Sequence, residues 1–425
     1  MLSINLWMTL LVVLWCYVLW SRRRLYQLML RIPGPIGYPI IGSLHEFWLN
    51  NEPMWSKHRK ALNPAFSHNG LLSFIPIFNI EGNSLLQELN TLVGKGESEL
   101  LSRLKNFTLR IATQTTMGTD VKKEEVYQNE TIMEKYQSVL EAGIVLILRP
   151  WYNIKCFRRW TDVDTLLNDS KSAIRKFIKI IIDRKLKEVS KSDQTGNKSN
   201  TFVNLAIEQL KSRVFSYQNV EDEANTIVFA AFETTALTIT YTLMHLAMFP
   251  EYQQRVYEEI KSVFPNTGDF EVTFEDLQKL EYLEMVINES MRLMPALPLS
   301  LRKVTEDVKL SNGVTLPKGL EFCISIYHTH RSKEIWGPEA HIFNPDNCLP
   351  RSLQDKHPYA LIPFLKGKRN CIGWKYGLML LKITLVKILR NYEVKTSYRF
   401  EDLVVVDNIT LKLKDLPGLQ LERRA

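Results

Sequence analysis

The chain reads as a mostly α-helical protein with a small β region near its carboxyl end, preceded by one helix that spans a membrane. Three observations carry this reading. Apolar residues recur at three- and four-residue spacing in segments such as 81–93, 131–148 and 161–189. Residues 221–249 contain neither Gly nor Pro and form the longest helix candidate, roughly 43 Å long at 1.5 Å per residue. Over 300–327 the pattern shortens to strands around a turn at Ser311-Asn312-Gly313.

The 425 residues are 45% apolar and 24% charged, an ordinary globular composition that excludes a disordered or collagen-like chain. Five cysteines (16, 156, 323, 348 and 371) include no Cys-x-x-Cys pair, so no zinc ribbon or thioredoxin-type motif is present. An odd number at wide spacing fits reduced thiols on the cytosolic side. The net charge of +8 is diffuse. It suits an anionic membrane surface or an acidic partner protein and gives no case for nucleic acid.

Residues 2–20 are apolar except for Ser3, Asn5 and Thr9, a run long enough to cross a bilayer core. Trp7, Trp15, Tyr17 and Trp20 supply rings suited to its interfaces, and Arg22, Arg23 and Arg24 follow directly. The positive-inside rule then holds the rest of the chain in the cytosol. A cleaved signal peptide lacks support, because no basic stretch precedes the run and no small-residue cleavage site follows it. A buried core helix is the plainer alternative. Pro33-Gly34-Pro35 and Pro39 then forbid helix and make a stiff elbow. This gives an anchor over 1–21, a basic stop and hinge over 22–43, and one globular domain over 44–425.

Within the globule, residues 190–200 are polar and contain Gly, hence a surface loop. Pro250 opens the next helix, through Phe264. Another helix is expected over 274–294. Residues 336–363 are Pro-rich and irregular, and a last helix covers 373–390 before short strands. No internal repeat is present.

The decisive stretch is Phe364-Leu365-Lys366-Gly367-Lys368-Arg369-Asn370-Cys371-Ile372-Gly373. One Cys sits in a Gly-bracketed loop that runs into a helix, whose amino end offers unpaired amides and partial positive charge. Both favour a thiolate. Gly367 and Gly373 let the backbone turn sharply and approach a planar ligand. Arg369 can pair with a carboxylate, and Phe364 can shield the sulfur. Such a thiolate suits the axial position of a haem. The plain reading of an isolated Cys is a buried structural residue, but a chance match to F-x-x-G-x-R-x-C-x-G in a chain of this length is on the order of 10⁻⁴.

This stretch resembles the haem-binding loop of cytochromes P-450, and other positions match in the family's order. Ala230-Ala231-Phe232-Glu233-Thr234-Thr235 resembles its oxygen-activating helix. On that match Thr234 is the distal threonine and Glu233 its acidic neighbour, the two catalytic residues. A mid-helix Thr bonded back to its own turn, with Glu on a solvated face, is the plain alternative. Glu289-Ser290-Met291-Arg292 matches E-x-x-R, a fold-stabilising pair. Trp55 and Arg59 resemble the helix that reaches a haem propionate, and Arg302 stands where a third propionate-binding cation is expected. His328 and His330 read as ordinary polar side chains and not as ligands. The nearest likeness is to insect microsomal relatives of the fatty-acid omega-hydroxylases.

Three departures accompany the resemblance. Only 12 residues separate Gly42 from Trp55, where the family has several tens that supply the first strands and a loop over the substrate pocket. The small sheet should therefore lack partners. Ala230 stands where omega-hydroxylases carry a Glu that esterifies the haem, so no covalent link is expected. Asn347 replaces the Arg that joins the E-x-x-R pair, which leaves Glu289 and Arg292 to satisfy each other or find another partner.

The resemblance implies a haem-thiolate monooxygenase that inserts one atom of O₂ into a lipophilic small molecule. Haem b is held by Cys371, which is also the metal ligand. Phe364, Gly367, Arg369, Gly373, Trp55, Arg59 and Arg302 bind the cofactor. Electrons come from NADPH through NADPH-cytochrome P-450 reductase, docking near Lys366, Lys368 and Arg369, with cytochrome b5 as a further donor. The place is the endoplasmic reticulum membrane, with the catalytic domain facing the cytosol. The alternative is a shortened, non-catalytic protein of the same fold.

Overall fold

The computed structural model describes residues 52–120, 132–192, 201–406 and 408–424, with Val12, Val13, Cys16, Tyr17 and Trp20 before them. The anchor over 1–21 (those five residues apart), the hinge over 22–43 and most of the 190–200 loop lie outside the described residues; Ser190–Ser192 still belong to a helix. Helices of ten residues or more are α1 Glu52–Leu62, α2 His68–Asn90, α3 Leu101–Ala112, α4 Ile132–Leu148, α5 Asp162–Ser192, α6 Phe202–Lys211, α7 Tyr217–Met248, α8 Pro250–Val263, α9 Glu281–Leu293 and α10 Trp374–Asn391.

Helix α7 organises the molecule. Ser216 and Asn219 form a reciprocal capping box at its start, and Pro250 opens α8 just past its end. Its 32 residues are apolar enough to cross a membrane, but 78% of the apolar window is buried inside the protein. It is a core helix, hydrophobic nearly all round because neighbours cover it on several sides. Two apolar clusters meet along it. One joins α2, α3, α9, α10 and the carboxyl-terminal half of α7; the other joins α5, α6 and its amino-terminal half.

The single helix expected over 274–294 is two pieces, Phe274–Gln278 and α9. Leu280 takes φ −98° and ψ 67°, outside the helical region, and the chain turns there. Strands β1 Leu299–Lys303, β2 Val308–Lys309, β3 Thr315–Leu316 and β4 Glu321–Ser325 fall in the predicted β region. They pair antiparallel as β1 with β4 and β2 with β3. Strands β5 Tyr392–Lys395, β6 Val405–Val406, β7 Lys412–Leu413 and β8 Gln420–Arg423 pair as β5 with β8 and β6 with β7. Every sheet among the described residues is two-stranded.

Candidate active site

The loop before α10 is closed by its own backbone. The Cys371 amide donates to the Phe364 carbonyl at 2.9 Å, and Asn370 N–H to Gly367 C=O at 3.1 Å. Gly367 has φ +79°, a conformation glycine adopts without a Cβ penalty. Gly373 differs from expectation: at φ −95° its backbone is open to any residue, and an added Cβ would make only ordinary contact with Phe66 at 3.7 Å. The Phe364 ring faces Gly377 on α10 and packs on the main core.

Cys371 is accessible to solvent. Burial is nevertheless the largest influence on its thiol and pushes its pKa up, against the Gly373 amide and the charge of Arg59. Helix α10 begins only at Trp374, so Cys371 stands before the first turn and its amides do not overcome desolvation. The thiolate expected from the helix terminus therefore needs a cation on the sulfur.

Three arginines and Trp55 converge on this loop. Arg59 donates to the Asn370 carbonyl at 2.8 Å, the Asn370 side-chain oxygen at 3.1 Å and Asn63 at 3.0 Å, all neutral partners. The Arg369 guanidinium lies 3.7 Å from the centroid of the Trp55 ring. Arg302 donates to Ser300 and to the Leu301 carbonyl within its own strand. Burial lowers its pKa first, and the like charge of Arg369 lowers it further. Cations gathered this way make a site for carboxylates.

Ile372 of the loop and Ala231 of α7 both pack against the second apolar cluster. Gln218, Asp222, Thr226 and Ala230 form an exposed stripe along the amino-terminal half of α7; half-buried Thr234 continues it, its hydroxyl donating to the Ala230 carbonyl at 2.8 Å. Glu233 points elsewhere. It is buried against Lys105 of α3, 3.0 Å away, on the wall of a separate cleft of 870 Å³ including its open mouth. Tyr241, Leu411 and Lys412 also line that cleft; Cys371 lies outside it.

Glu289 and Arg292 are fully buried and joined by two 2.7 Å bonds. Arg292 also donates to the carbonyls of His330, Ala340 and Ile342. Glu289 accepts from the Asn344 amide and from the Asn347 side chain at 3.1 Å. The third position of the expected triad is thus filled by a neutral donor. His330 accepts from the Ile362 amide, and His328 bonds Ser325. Among the described residues no cluster of His, Cys, Asp and Glu could hold a metal ion.

The family model described as Cytochrome P450 matches residues 43–406. The chain belongs to the cytochrome P450 family. It is 46% identical to "Probable cytochrome P450 313a4" of Drosophila melanogaster, with all of both chains covered. It is 40% identical to "Probable cytochrome P450 313a3" of that species over 97% of this chain and 98% of the relative. It is 30% identical to "Cytochrome P450 4c3", also of that species, over 87% of this chain and 71% of the relative. The first alignment runs over 497 positions, so at least 72 (497 less 425) hold no residue of this chain.

Membership makes the chain a monooxygenase enzyme of the haem-thiolate type, and the family implies a haem and a redox partner. The residues present fit a haem: a solvent-accessible thiol in a loop closed by its own backbone, with Arg59 and Arg369 beside it. Sequence reasoning missed Lys105, Asn370 and the contact of Arg369 with Trp55. Only the i,i+4 placement of Trp55 and Arg59 hinted that both act on one partner.

Proposed function

We propose that Cys371 is the axial ligand of a haem b and that this P450 oxidises a lipophilic small molecule with electrons from NADPH, delivered by a reductase at Lys366, Lys368 and Arg369. The observation that carries this is the solvent-accessible Cys371 sulfur in a backbone-closed loop held by Arg59 and flanked by Arg369. A bound haem would supply activation of dioxygen and transfer of one of its atoms. The chain would do the rest. Cys371 gives up its proton to hold the iron, and Phe364 covers the loop from solvent. Arg59, Arg302 and Arg369 pair the two propionates, with Trp55 fixing Arg369 and Gly367 and Gly373 shaping the loop. The Thr234 hydroxyl would hold a proton on the exposed stripe of α7, and Glu233 would pass one from the cleft side. With Ala230 at its position, no side chain esterifies the haem.

The same reading places residues 1–21 as a membrane anchor and 22–43 as a hinge, with the domain over 44–425 on the cytosolic face of the endoplasmic reticulum. The test is the carbon-monoxide difference spectrum of the reduced protein. A Soret band at the thiolate-specific position is expected, lost in Cys371→Ser; a band that survives in C371S removes the assignment.

A second reading is favoured by a specific observation. Two-stranded sheets and the 72 unoccupied aligned positions fit a shortened form whose haem edge is open to water. Turnover with reductase and NADPH decides: product excludes a non-catalytic protein, and haem binding without product supports it.

A further inference from the structure

From Met54 to Lys60 of α1 the one buried side chain is that of His58. Enclosing a polar ring is unfavourable unless it is bonded. His58 Nδ1 lies 2.8 Å from the carboxylate of Glu223, in the first two turns of α7. Its ring is 4.2 Å, centroid to centroid, from the buried ring of Phe215, which stands just before that helix.

Helix α1 therefore faces two ways. Successive helical residues point about 100° apart, so His58 and Arg59 meet different neighbours. Arg59 holds the Cys371 loop through Asn370, and Trp55 holds it through Arg369. His58 holds α7. Leu62, buried in the second apolar cluster, seats the carboxyl end of α1. Nearer its start, Met54, Ser56, Lys57 and Lys60 are exposed and Trp55 is half-buried, so no buried apolar side chain fixes those turns. A bond from an imidazole to a carboxylate is stronger than one between neutral groups, and it is directional. It sets where the first turns of α1 stand against α7.

We propose that His58 is a positioning residue: clasped to Glu223, it holds α1 on α7 so that Arg59 and Trp55 keep the Cys371 loop in the conformation that presents the sulfur. The inference rests on the reading of Cys371 as the haem ligand and adds what holds that ligand's loop in place. His58 acts through Arg59 and Trp55 and takes no part in the chemistry itself.

The test is hydrogen–deuterium exchange of the full chain without haem, read on the peptide that carries the Asn370 and Cys371 amides, both bonded within the loop. His58→Phe keeps a ring against Phe215 and removes the bond to Glu223. Exchange of the loop peptide should rise about tenfold, the effect of losing a hydrogen bond to a charged group, while the α8 peptide keeps its wild-type rate. His58→Asn places an amide donor where Nδ1 stands and should restore most of the protection. Glu223→Ala removes the same bond from the other side and should match His58→Phe. Combined with Arg59→Gln, His58→Phe should add nothing to the exchange of Arg59→Gln alone. A loop peptide unchanged in H58F, with only a lower urea midpoint, overturns the proposal, as does a rise shared equally by α8. Independent, additive effects of His58 and Arg59 overturn it too. Haem is then added to the same proteins. H58F should release it faster than wild type. A wild-type chain that takes up no haem removes the Cys371 reading, while the exchange rates still decide whether His58 holds the loop.

Discussion

The guanidinium of Arg369 lies over the ring of Trp55 at 3.7 Å, so the first described helix is locked to the cysteine loop by a contact 314 positions apart in sequence. The indole face lies against the cation. Arg59, one turn along α1, holds the same loop through Asn370.

Trp55→Ala should loosen Arg369 and speed loss of haem. A cation–π contact of this kind contributes about 1 kcal/mol, a change of roughly five-fold. Transfer of haem to an acceptor apoprotein measures it, and Trp55→Phe should restore most of the retention. Equal retention in W55A and wild type would show that the ring only fills space.

Glu289 and Arg292 form a buried pair whose third neighbour is Asn347 at 3.1 Å. Asn347→Ala removes one charge-assisted bond and should cost about 2 kcal/mol. Glu289→Gln leaves Arg292 uncompensated and should cost about 3–5 kcal/mol. Urea midpoints of the two variants should rank in that order.

What the sequence made legible follows from what is local. The Cys loop, α7 and the E-x-x-R pair were readable because glycine placement, helical period and i,i+3 spacing are short-range. The break at Leu280 was not, since no Pro or Gly marks it and only the packing of the following helix sets that ψ. Asn347 looked like a defect because the sequence shows the missing charge and hides the neighbours. The Arg292 contacts with three backbone carbonyls depend on how the irregular segment folds back. Glu233 beside Thr234 looked like one functional unit, yet successive helical residues point about 100° apart. The structure gives one to the Lys105 cleft and leaves the other on the exposed stripe of α7, bonded to its own turn.

Acid should destabilise the fold through two histidines. His245 is buried between Ser290 and the Phe343 ring, and burial, with the charges of Arg331 and Arg292, lowers its pKa from 6.5 to about 3. His330 falls to about 4, first through burial and then through Arg292. Below 6.5 the unfolded chain takes protons that the folded chain refuses, so stability falls with pH from 6.5 toward about 3. His245→Phe keeps the ring stack and removes one such group. Its unfolding midpoint should depend less steeply on pH across that window; an unchanged slope would rule His245 out as a contributor.

The two helix residues can be separated by what each variant leaves intact. Among the described residues the Thr234 hydroxyl bonds its own turn at the Ala230 carbonyl, so Thr234→Ala should change stability by no more than about 0.5 kcal/mol. If its hydroxyl holds a proton for the reaction, the same change should lower product formation by about a hundredfold or more while NADPH oxidation continues. Lys105→Met acts the other way. It strands the buried Glu233 carboxylate and should cost about 3–5 kcal/mol, and pairing it with Glu233→Leu should recover most of that loss. Product per NADPH in the Lys105→Met, Glu233→Leu double variant then tells whether Glu233 serves proton supply or only packing. A ratio equal to wild type assigns it to packing.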